Sequence, residues 1–412
     1  MDERVYLREL AGRVIEISQL PVVAERKKLW CRHNAGEITV PPVMMEHWTF
    51  DAELIPPLKA VSPVGRMLEK QLLDAIVNFE EIGDDKMVTP EVYVPLRLEF
   101  KFFGLTPKRH QAADVSGRKL GFSTEYPIVD LEREFESLGP SVWNYDAPGT
   151  EADFEEAKSL LGDLLTVRKV NLLQRWFQAA ASATVPLLGM ENMFVLMMEQ
   201  PDLMQRFFTR LVDDSIDFFR WLESGNLLTL NNGNDYAGSG SYGMTEELPQ
   251  PDFAGRVRCC DLWGNLNSQE TVGMSPQQFA DEIYPHYARF AEIFGLVYYG
   301  CCEPVDAFWG CLKNLPHLRK VSCSPWCDDK FMGAVLRGTG IVLCAKPSPN
   351  FIGVSSFDEQ GLYRDVAATI EAARGCALEF SFRDIYTLCG DPGRARRAVE
   401  LTRRTIAEHW RG

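Results

Sequence analysis

Residues 275–299, SPQQFADEIYPHYARFAEIFGLVYY, contain the pattern that decides the fold. Ser275 and Pro276 are typical of a helix start, because serine caps the first turn and proline suits the first helical position. An amphipathic helical pattern follows, and Gly295 is a typical helix end. The apolar run Leu296–Tyr299 comes next and predicts a buried strand. A helix joined so closely to a buried strand indicates an α/β fold.

The same alternation of helix and strand extends along most of the chain. The candidate strands are Thr39–Met44, Glu91–Arg97, Thr166–Val170, Leu227–Leu230, Arg256–Cys260, Leu296–Tyr299, Arg319–Cys323, Ile341–Cys344 and Ala377–Phe382. The candidate helices include Val64–Asn78, Glu151–Leu160, Gly189–Glu199, Pro201–Glu223, Pro276–Phe294, Asp328–Leu336, Asp358–Arg374 and Pro392–Trp410. About eight strands separated by helices fit a closed barrel of parallel strands. An open doubly wound sheet is the alternative, but no glycine-rich phosphate loop follows a strand.

We therefore expect an α/β protein with a (β/α)₈ TIM barrel, N-terminal helical additions and a long insertion in the first half. The whole chain, residues 1–412, then forms a single domain. Residues 1–38 are the expected N-terminal helical extension. An insertion is expected over residues 98–150, where the sequence is largely polar and irregular.

Composition and charge exclude several classes of protein. The chain has 43 Lys and Arg against 58 Asp and Glu, and its net charge of −15 argues against a nucleic-acid partner. No apolar run reaches the ~18 residues of a membrane span, and the N-terminus has no signal-peptide pattern. The 11 Cys are an odd number in a long chain, which favours reduced thiols over a disulfide framework. We expect a cytoplasmic protein and leave its oligomeric state open.

The candidate site begins directly after the strand Leu296–Tyr299, since barrel enzymes place their active sites where strands end. Cys301, Cys302 and Glu303 follow there, and thiolate and carboxylate groups suit zinc. Adjacent residues of an extended chain point opposite ways, so one of the two cysteines is expected to face a common metal. The alternative is that both are buried as small apolar residues. Asp384 follows the last strand as a further oxygen ligand, or else as a cap or salt-bridge partner.

Other strand ends offer groups that bind or orient a substrate. The candidates are Asp261 and Trp263 near the fifth strand, Asn234, Asp235 and Tyr236 after the fourth, Tyr299 at the end of the sixth, and Lys346 after the eighth. Each also has an ordinary structural explanation. Trp263 can be a core residue and Asp261 an arginine partner, the run from Asn234 can be a simple turn, and Lys346 can be a surface lysine.

Three segments carry a resemblance to a known family. They are Asp261-Leu262-Trp263-Gly264, then Ser275-Pro276-Gln277-Gln278-Phe279 with Tyr284-Pro285-His286-Tyr287, and the tract from Tyr299 to Pro304 with that from Leu318 to Trp326. Together they resemble the uroporphyrinogen decarboxylase superfamily, and most closely its uroporphyrinogen-decarboxylase-like branch. The resemblance extends from Gly189 to the C-terminus and is looser in the first half. It implies a (β/α)₈ barrel.

The resemblance favours one activity of that superfamily over the other. The decarboxylases carry an N-terminal arginine-bearing segment that holds substrate carboxylates, and the segment from Leu29 to Gly36 differs from it. The cobamide-dependent methyltransferases carry a His-x-Cys zinc motif and a later cysteine. Those positions fall near Tyr299, on Cys301 or Cys302, and near Asp384. The resemblance thus implies a zinc site with ligands among Cys301, Cys302, Glu303 and Asp384.

The predicted function is transfer of a methyl group from a small methylated donor, first of all a methoxylated aromatic, to a corrinoid protein that carries cobamide. Zinc would act as a Lewis acid on the leaving atom. Glu303 and Asp261 are the predicted catalytic residues. The predicted donor-binding residues are Trp263, Asn234, Asp235, Tyr236, Tyr299 and Lys346.

Two alternatives remain at this point. A metal-independent decarboxylase or lyase needs cationic groups that hold a carboxylate, and Lys346 and Arg383 are the strand-end candidates. A non-catalytic barrel that binds a corrinoid or tetrapyrrole needs an apolar mouth without converging polar groups.

Overall fold

The computed structural model describes residues 2–113, 119–177 and 179–412. Within these ranges, the strands are β1 (Val43–Met45), β2 (Glu91–Pro95), β3 (Leu98–Lys101), β4 (Lys108–Ala113), β5 (Lys119–Glu125), β6 (Val142–Tyr145), β7 (Thr166–Val170), β8 (Trp263–Leu266), β9 (Leu296–Tyr299), β10 (Leu318–Cys323), β11 (Val342–Ala345) and β12 (Leu378–Phe382). The helices are α1 (Glu3–Ser18), α2 (Pro21–Asn34), α3 (Pro63–Val77), α4 (Leu131–Glu134), α5 (Ala147–Leu161), α6 (Ala181–Leu188), α7 (Met190–Glu199), α8 (Pro201–Ser224), α9 (Pro276–Gln278), α10 (Tyr284–Ala291), α11 (Trp309–Leu312), α12 (Asp329–Leu336), α13 (Glu359–Ala372) and α14 (Gly393–His409).

A parallel sheet of six strands, in the order β1-β12-β11-β10-β9-β8, is the largest sheet of the described chain. A second parallel pair joins β2 to β7, while β3 with β6 and β4 with β5 form antiparallel pairs. The mixed α/β class with a large parallel sheet is therefore confirmed. Because the six strands run in the same direction, the residues that follow them meet at one edge, which we call the carboxyl edge.

No backbone ladder closes this sheet into a barrel within the described residues. Isolated hydrogen bonds lie where further pairing would close it. The Asp85 N–H donates to the Val43 carbonyl at 2.8 Å, and Asn171 Nδ2 donates to the Leu227 carbonyl at 3.0 Å. Asn231 Nδ2 donates to the Trp263 carbonyl at 2.9 Å. A closed eight-stranded barrel thus stays a prediction.

The two faces of the six-stranded sheet differ in chemistry. The outer face is apolar, and Val297, Val321 and Leu343 share a core cluster with side chains of α8, α10 and α13. The inner face buries polar side chains, namely Lys320, Ser322, Glu379 and Ser381. Since successive residues of a strand alternate between faces, this division decides which strand residues face the inside.

Two predicted strands are wrong. Leu227–Leu230 forms no ladder, although it lies beside β7 and β8. Arg256–Cys260 is not a strand, because Arg258 and Asp261 bond to each other and close a 3₁₀ turn over Cys259–Asp261. The strand of this region starts later, at Trp263.

The helix predicted over Pro276–Phe294 is interrupted. It consists of α9, a π turn over Phe279–Ile283, and α10. Pro285 lies in the first turn of α10 and has no N–H to donate to the preceding turn, which explains the break.

No single helix among the described residues is long and apolar enough to cross a membrane. The helices α6 and α7 reach that length and composition only as a pair, and the pair is bent by 109°.

Candidate active site at the carboxyl edge

A glycine turn places the two cysteines at the carboxyl edge. Gly300 directly follows β9 with a φ of 104°, a conformation that side chains rarely adopt. A Cβ atom there would lie 2.8 Å from the Cβ of Ser322 on β10. Only glycine therefore fits this turn, and the turn aims the chain at Cys301 and Cys302.

The sulfur of Cys301 is the centre of the polar contacts at this edge. It accepts a hydrogen bond from Ser239 Oγ at 3.1 Å and from Arg383 Nη1 at 3.4 Å. The sulfur of Cys302 lies 3.5 Å away. The ammonium group of Lys346 donates to the Cys301 carbonyl at 2.6 Å, which places a second positive charge beside the thiol.

These contacts lower the pKa of the Cys301 thiol well below its ordinary value. The causes are the hydrogen bond from Cys302, opposed by burial, and then the charges of Lys346 and Arg383. The single S–H of Cys302 also faces Asp384, with Sγ 3.1 Å from Oδ2, and it can serve only one acceptor at a time. When the proton points to Asp384, the charges of Lys346 and Arg383 still lower the pKa of Cys301, while burial opposes them.

We expect the rate at which iodoacetamide alkylates Cys301 to reveal its thiolate form. Because the thiolate is the nucleophile, the wild-type rate at pH 6.5 should stay within about twofold of the rate at pH 8.5. The variant Arg383→Met loses one cation. The pH midpoint of Cys301 alkylation should therefore be higher in this variant by about one pH unit or more. Peptide mass spectrometry over a pH series measures both rates. Cys389, an exposed thiol of the same chain, is the internal reference. If Cys301 and Cys389 of the wild type had the same pH midpoint of alkylation, Cys301 would not be a stabilised thiolate.

Asp384 and Cys302 form the far side of the site. Asp384 has a φ of 57°, in the left-handed region that few residues other than glycine adopt. The hydrogen bond to Cys301, then burial, the charge of the Cys301 thiolate and the hydrogen bond to Asp384 raise the pKa of Cys302, so Cys302 stays protonated. Cys301 and Cys302 together thus hold one thiolate beside one protonated thiol.

Arg383 connects Cys301 to a buried carboxyl group. Its Nη2 lies 3.5 Å from Glu46 Oε1, and its Nε lies 3.4 Å from Asp384 Oδ1. Glu46 directly follows β1 and is only 2 % exposed, and its Oε2 has no hydrogen-bond partner among the described residues. Burial raises the pKa of Glu46 to about 7, against the opposing charges of Arg383 and Lys346. Glu46 is therefore protonated in part of the molecules near neutral pH.

Glu303 holds the loop and does not face the site. Its Oε1 accepts from the Ser268 N–H at 2.9 Å, and its Oε2 accepts from the Cys301 N–H at 2.8 Å. Both oxygens are therefore bonded to backbone, and burial raises the pKa of the group. The structure thus gives Glu303 a role in holding the loop, and its predicted catalytic and metal-binding roles stay predictions.

Three other predicted site residues lie elsewhere. Asp261 precedes β8 at its amino end, buried and bonded to Arg258, and thus lies at the end opposite the carboxyl edge. Trp263 is the first residue of β8, and its indole donates to the Gly243 carbonyl at 2.8 Å. Tyr299 faces outward and packs edge-on against Tyr287 of α10, with ring centroids 6.2 Å apart. The structure does not bring these three side chains to the carboxyl edge, and their predicted roles stay predictions.

Asn234, Asp235 and Tyr236 line a separate cleft of about 140 Å³, which we call the side cleft. Asn234 Nδ2 donates to Thr89 Oγ1 at 3.1 Å, and Asp235 pairs with Arg175. The same loop continues to Ser239, which contacts Cys301. The side cleft and the thiol site are therefore joined by a single loop.

A buried ionic network supports that loop from below. Lys320 of β10 is fully buried and donates to Glu379 Oε2 at 2.9 Å, to Ser241 Oγ at 2.8 Å and to the Tyr242 carbonyl at 2.9 Å. His33 of α2 lies 3.0 Å from the same Glu379 oxygen. Burial alone would raise the pKa of Glu379, but Lys320 and His33 bring it well below its ordinary value.

Sequence reasoning missed Glu46 and Ser239 as site residues and placed Arg383 only in the decarboxylase alternative. Glu46 directly follows a predicted strand, Thr39–Met44, which the structure shifts to Val43–Met45. The strand-end rule that selected Cys301 would thus have selected Glu46. Ser239 gives no such signal, because it lies in a long loop.

The residues at the carboxyl edge do not fit the predicted zinc site. The Arg383 guanidinium, 3.4 Å from the Cys301 sulfur, would repel a divalent cation there. The oxygens of Glu303 are bonded to backbone N–H groups. In the part of the chain that the structure describes, no three His, Cys, Asp or Glu side chains are arranged to hold a metal ion.

Comparisons with known proteins give little further identification. No protein-family model matches the chain, and no curated protein matches it. A solved structure that matches is a methyltransferase from Methanosarcina mazei, with a TM-score of 0.48 and 12 % sequence identity. The match covers 92 % of this chain and 98 % of that chain. A likeness of this level assigns neither a family nor an activity.

Proposed function

We propose that this chain is an enzyme that transfers a methyl group, with the Cys301 sulfur as the atom that takes the group from a small methylated donor. The observation that carries the proposal is the contact of this sulfur with Ser239 and Arg383, at 3.1 and 3.4 Å. A thiolate stabilised by such contacts is a nucleophile. The motif resemblance to cobamide-dependent methyltransferases supports the methyl group as its target.

The first half of the reaction is a displacement at the methyl carbon of the donor. An electron pair of the Cys301 thiolate forms a new C–S bond, while the bond from the methyl carbon to the donor oxygen breaks. The electron pair of the broken C–O bond stays on the oxygen, and this oxygen takes a proton from Glu46. The products are a demethylated alcohol or phenol, an S-methyl group on Cys301 and ionised Glu46. The positive charge of Arg383 lies 3.5 Å from Glu46 and stabilises that carboxylate.

The second half passes the methyl group to an acceptor. We propose as acceptor a reduced corrinoid held by a partner protein, which supplies the electron pair of the new bond to the methyl carbon. The pair of the C–S bond returns to sulfur and regenerates the thiolate beside Lys346 and Arg383. Glu46 regains its proton from solvent. The proposal uses no zinc, because the donor set at the carboxyl edge does not fit it.

We expect Glu46→Gln to slow transfer from an unactivated methyl ether by about 10²–10⁴-fold, because the leaving oxygen loses its proton donor. In the same variant, the rate of transfer from an activated ether such as 4-nitroanisole should fall much less, because its leaving group needs no proton. In the wild type, the rate should fall as pH rises through about 7, where Glu46 loses its proton. Product formation measured by chromatography checks this difference. An equal loss for both ethers would contradict the proton-donor role.

The function itself is tested by turnover with chemically defined reagents. The purified chain is incubated with 2-methoxyphenol, methylamines or methyl thioethers, and with free cob(I)alamin in place of the partner. Methylcobalamin and the demethylated product should appear together, and the variant Cys311→Ser should match the wild type. Cys311 is a suitable control because its thiol donates to the Phe308 carbonyl at 3.2 Å, apart from the site.

Two further measurements separate the alternatives: carbon dioxide release from a carboxylated compound, and tetrapyrrole binding. Lys346 and Arg383, which a decarboxylase would need, do lie in the site, but both are bonded to groups of the chain. A decarboxylase would release carbon dioxide from a carboxylated compound without modifying Cys301. A non-catalytic tetrapyrrole-binding barrel would show binding without turnover, and the converging polar groups at this edge argue against it.

A further inference from the structure

The side cleft has features of a ligand site that the thiol chemistry does not use. It is lined in part by Lys86, Met87 and Tyr93, by Arg175, and by Asn234 and Tyr236. Its volume of about 140 Å³ is close to that of cavities that hold one benzene ring. We propose that the side cleft binds a small carboxylate that carries a single ring.

The charges of the side cleft call for an anion. Arg168 pairs with Glu91 at 3.1 Å, and Arg175 pairs with Asp235. Lys86 differs, since no carboxylate lies within salt-bridge distance of its ammonium group among the described residues. That group lies 5.6 Å from the ring centroid of Tyr236. One positive charge thus remains for the carboxylate of a ligand.

The remaining carboxylate of the cleft does not cancel that charge. Asp74 accepts from Lys70 at 2.6 Å and lies 3.1 Å from His47 Nε2. Asp74 therefore already has two partners, although Lys70 also contacts Asp51 at 3.0 Å. The anion-binding capacity of Lys86 is left in place.

The lining also offers apolar and flat surfaces for a ring. Met87 and Val92 are buried apolar residues, and Tyr93 and Tyr236 supply aromatic rings. The ring of Tyr236 is already stacked on Trp48, at 5.6 Å and with an interplanar angle of 15°, so its orientation is fixed. Aromatic side chains pack against a ring of a ligand in offset or edge-on arrangements.

Two polar atoms of the lining residues are left without partners. Asn234 Oδ1 and Arg168 Nε are buried and have no hydrogen bond within the described chain. Buried polar atoms ordinarily have a partner. A ligand with one donor and one acceptor group beside its ring would suit this pair.

The loop from Asn234 to Ser239 joins the side cleft to Cys301. Asn234 and Tyr236 line the cleft, and Ser239 Oγ lies 3.1 Å from the Cys301 sulfur. If the proposed function holds, the side cleft is where the body of the substrate lies. That assignment rests on the proposed function, whereas binding of a ring carboxylate does not.

The test is calorimetric titration of the full chain with benzoate. Lys86→Met should weaken benzoate binding about tenfold or more, because one charge pair is lost. Lys86→Arg should restore part of the affinity, and Lys330→Met is the control, since Lys330 is exposed on α12. Benzyl alcohol, which has the ring without the charge, should bind weakly and equally to the wild type and to Lys86→Met.

Three results would overturn the proposal. They are no binding of benzoate in large excess, equal binding by Lys86→Met, and acetate or inorganic phosphate binding as tightly as benzoate. The titration is repeated in Cys301→Ser, where binding should be unchanged. In the wild-type chain, benzoate binding without methyl transfer from any donor would reject the proposed function and keep the side cleft, while methyl transfer without benzoate binding would do the reverse.

Discussion

Cys301→Ser is expected to abolish methyl transfer, with a loss of about four orders of magnitude or more. A serine hydroxyl beside Arg383 and Lys346 is far less acidic than a thiol, so the nucleophile is lost while the shape of the site is kept. Coupled formation of methylcobalamin and demethylated product is the measurement. Because the hydroxyl still accepts from Ser239, the fold should be unaffected, as circular dichroism would check.

The matched control for this variant is Cys302→Ser. Cys302 is the protonated member of the pair, and its role is to donate to Cys301 or Asp384. A serine there keeps a donor, so we expect a loss of only about tenfold. If Cys302→Ser were as inactive as Cys301→Ser, the nucleophile would be assigned to the wrong cysteine.

Lys320→Met is expected to have the largest effect on stability, with a loss of about 3–5 kcal/mol in the free energy of unfolding. The reason is that Glu379, which is 1 % exposed, keeps its charge in the interior without its cation. His33 lies 3.0 Å from the same oxygen, but burial lowers its pKa, so we expect it to offset only part of the lost charge. Urea denaturation followed by circular dichroism measures the change.

The double variant Lys320→Met with Glu379→Leu serves as the control. Removing both charges removes the unpaired carboxylate, so part of the lost stability should return. Lys330→Met, on the exposed face of α12, should change stability by less than about 0.5 kcal/mol. A loss in Lys320→Met no larger than that of Lys330→Met would contradict the stabilising role of the network.

Sequence reasoning can place strand bounds correctly both in an apolar run such as Leu296–Tyr299 and in the mixed segment Thr166–Val170, which contains Arg168 and Lys169. Thr166–Val170 and Leu296–Tyr299 have the bounds that the sequence predicts. The strand predicted over Arg256–Cys260 is wrong because Arg258 donates to both Asp252 and Asp261 and the chain bends there. Side-chain bonds of this kind leave no trace in the pattern of apolar residues.

The candidate site shows the same limit. The rule that function follows strand ends brought Cys301, Cys302, Lys346 and Asp384 to notice, and the structure brings these residues together. Tyr298 and Tyr299 differ by one position, which decides the face of the strand, and identical residue types cannot reveal it. The contact of Glu303 with the Ser268 N–H could not be predicted, because Ser268 lies far away in the sequence.

The most direct test of the central claim is the mass of the peptide that contains Cys301 after one exposure to a methyl donor without acceptor. We expect Cys301, and no other cysteine, to gain the mass of one CH₂ group as methyl replaces the thiol proton. That mass should disappear when cob(I)alamin is added. Consumption of the donor with Cys301 unmodified would contradict the proposal that the Cys301 sulfur takes the methyl group.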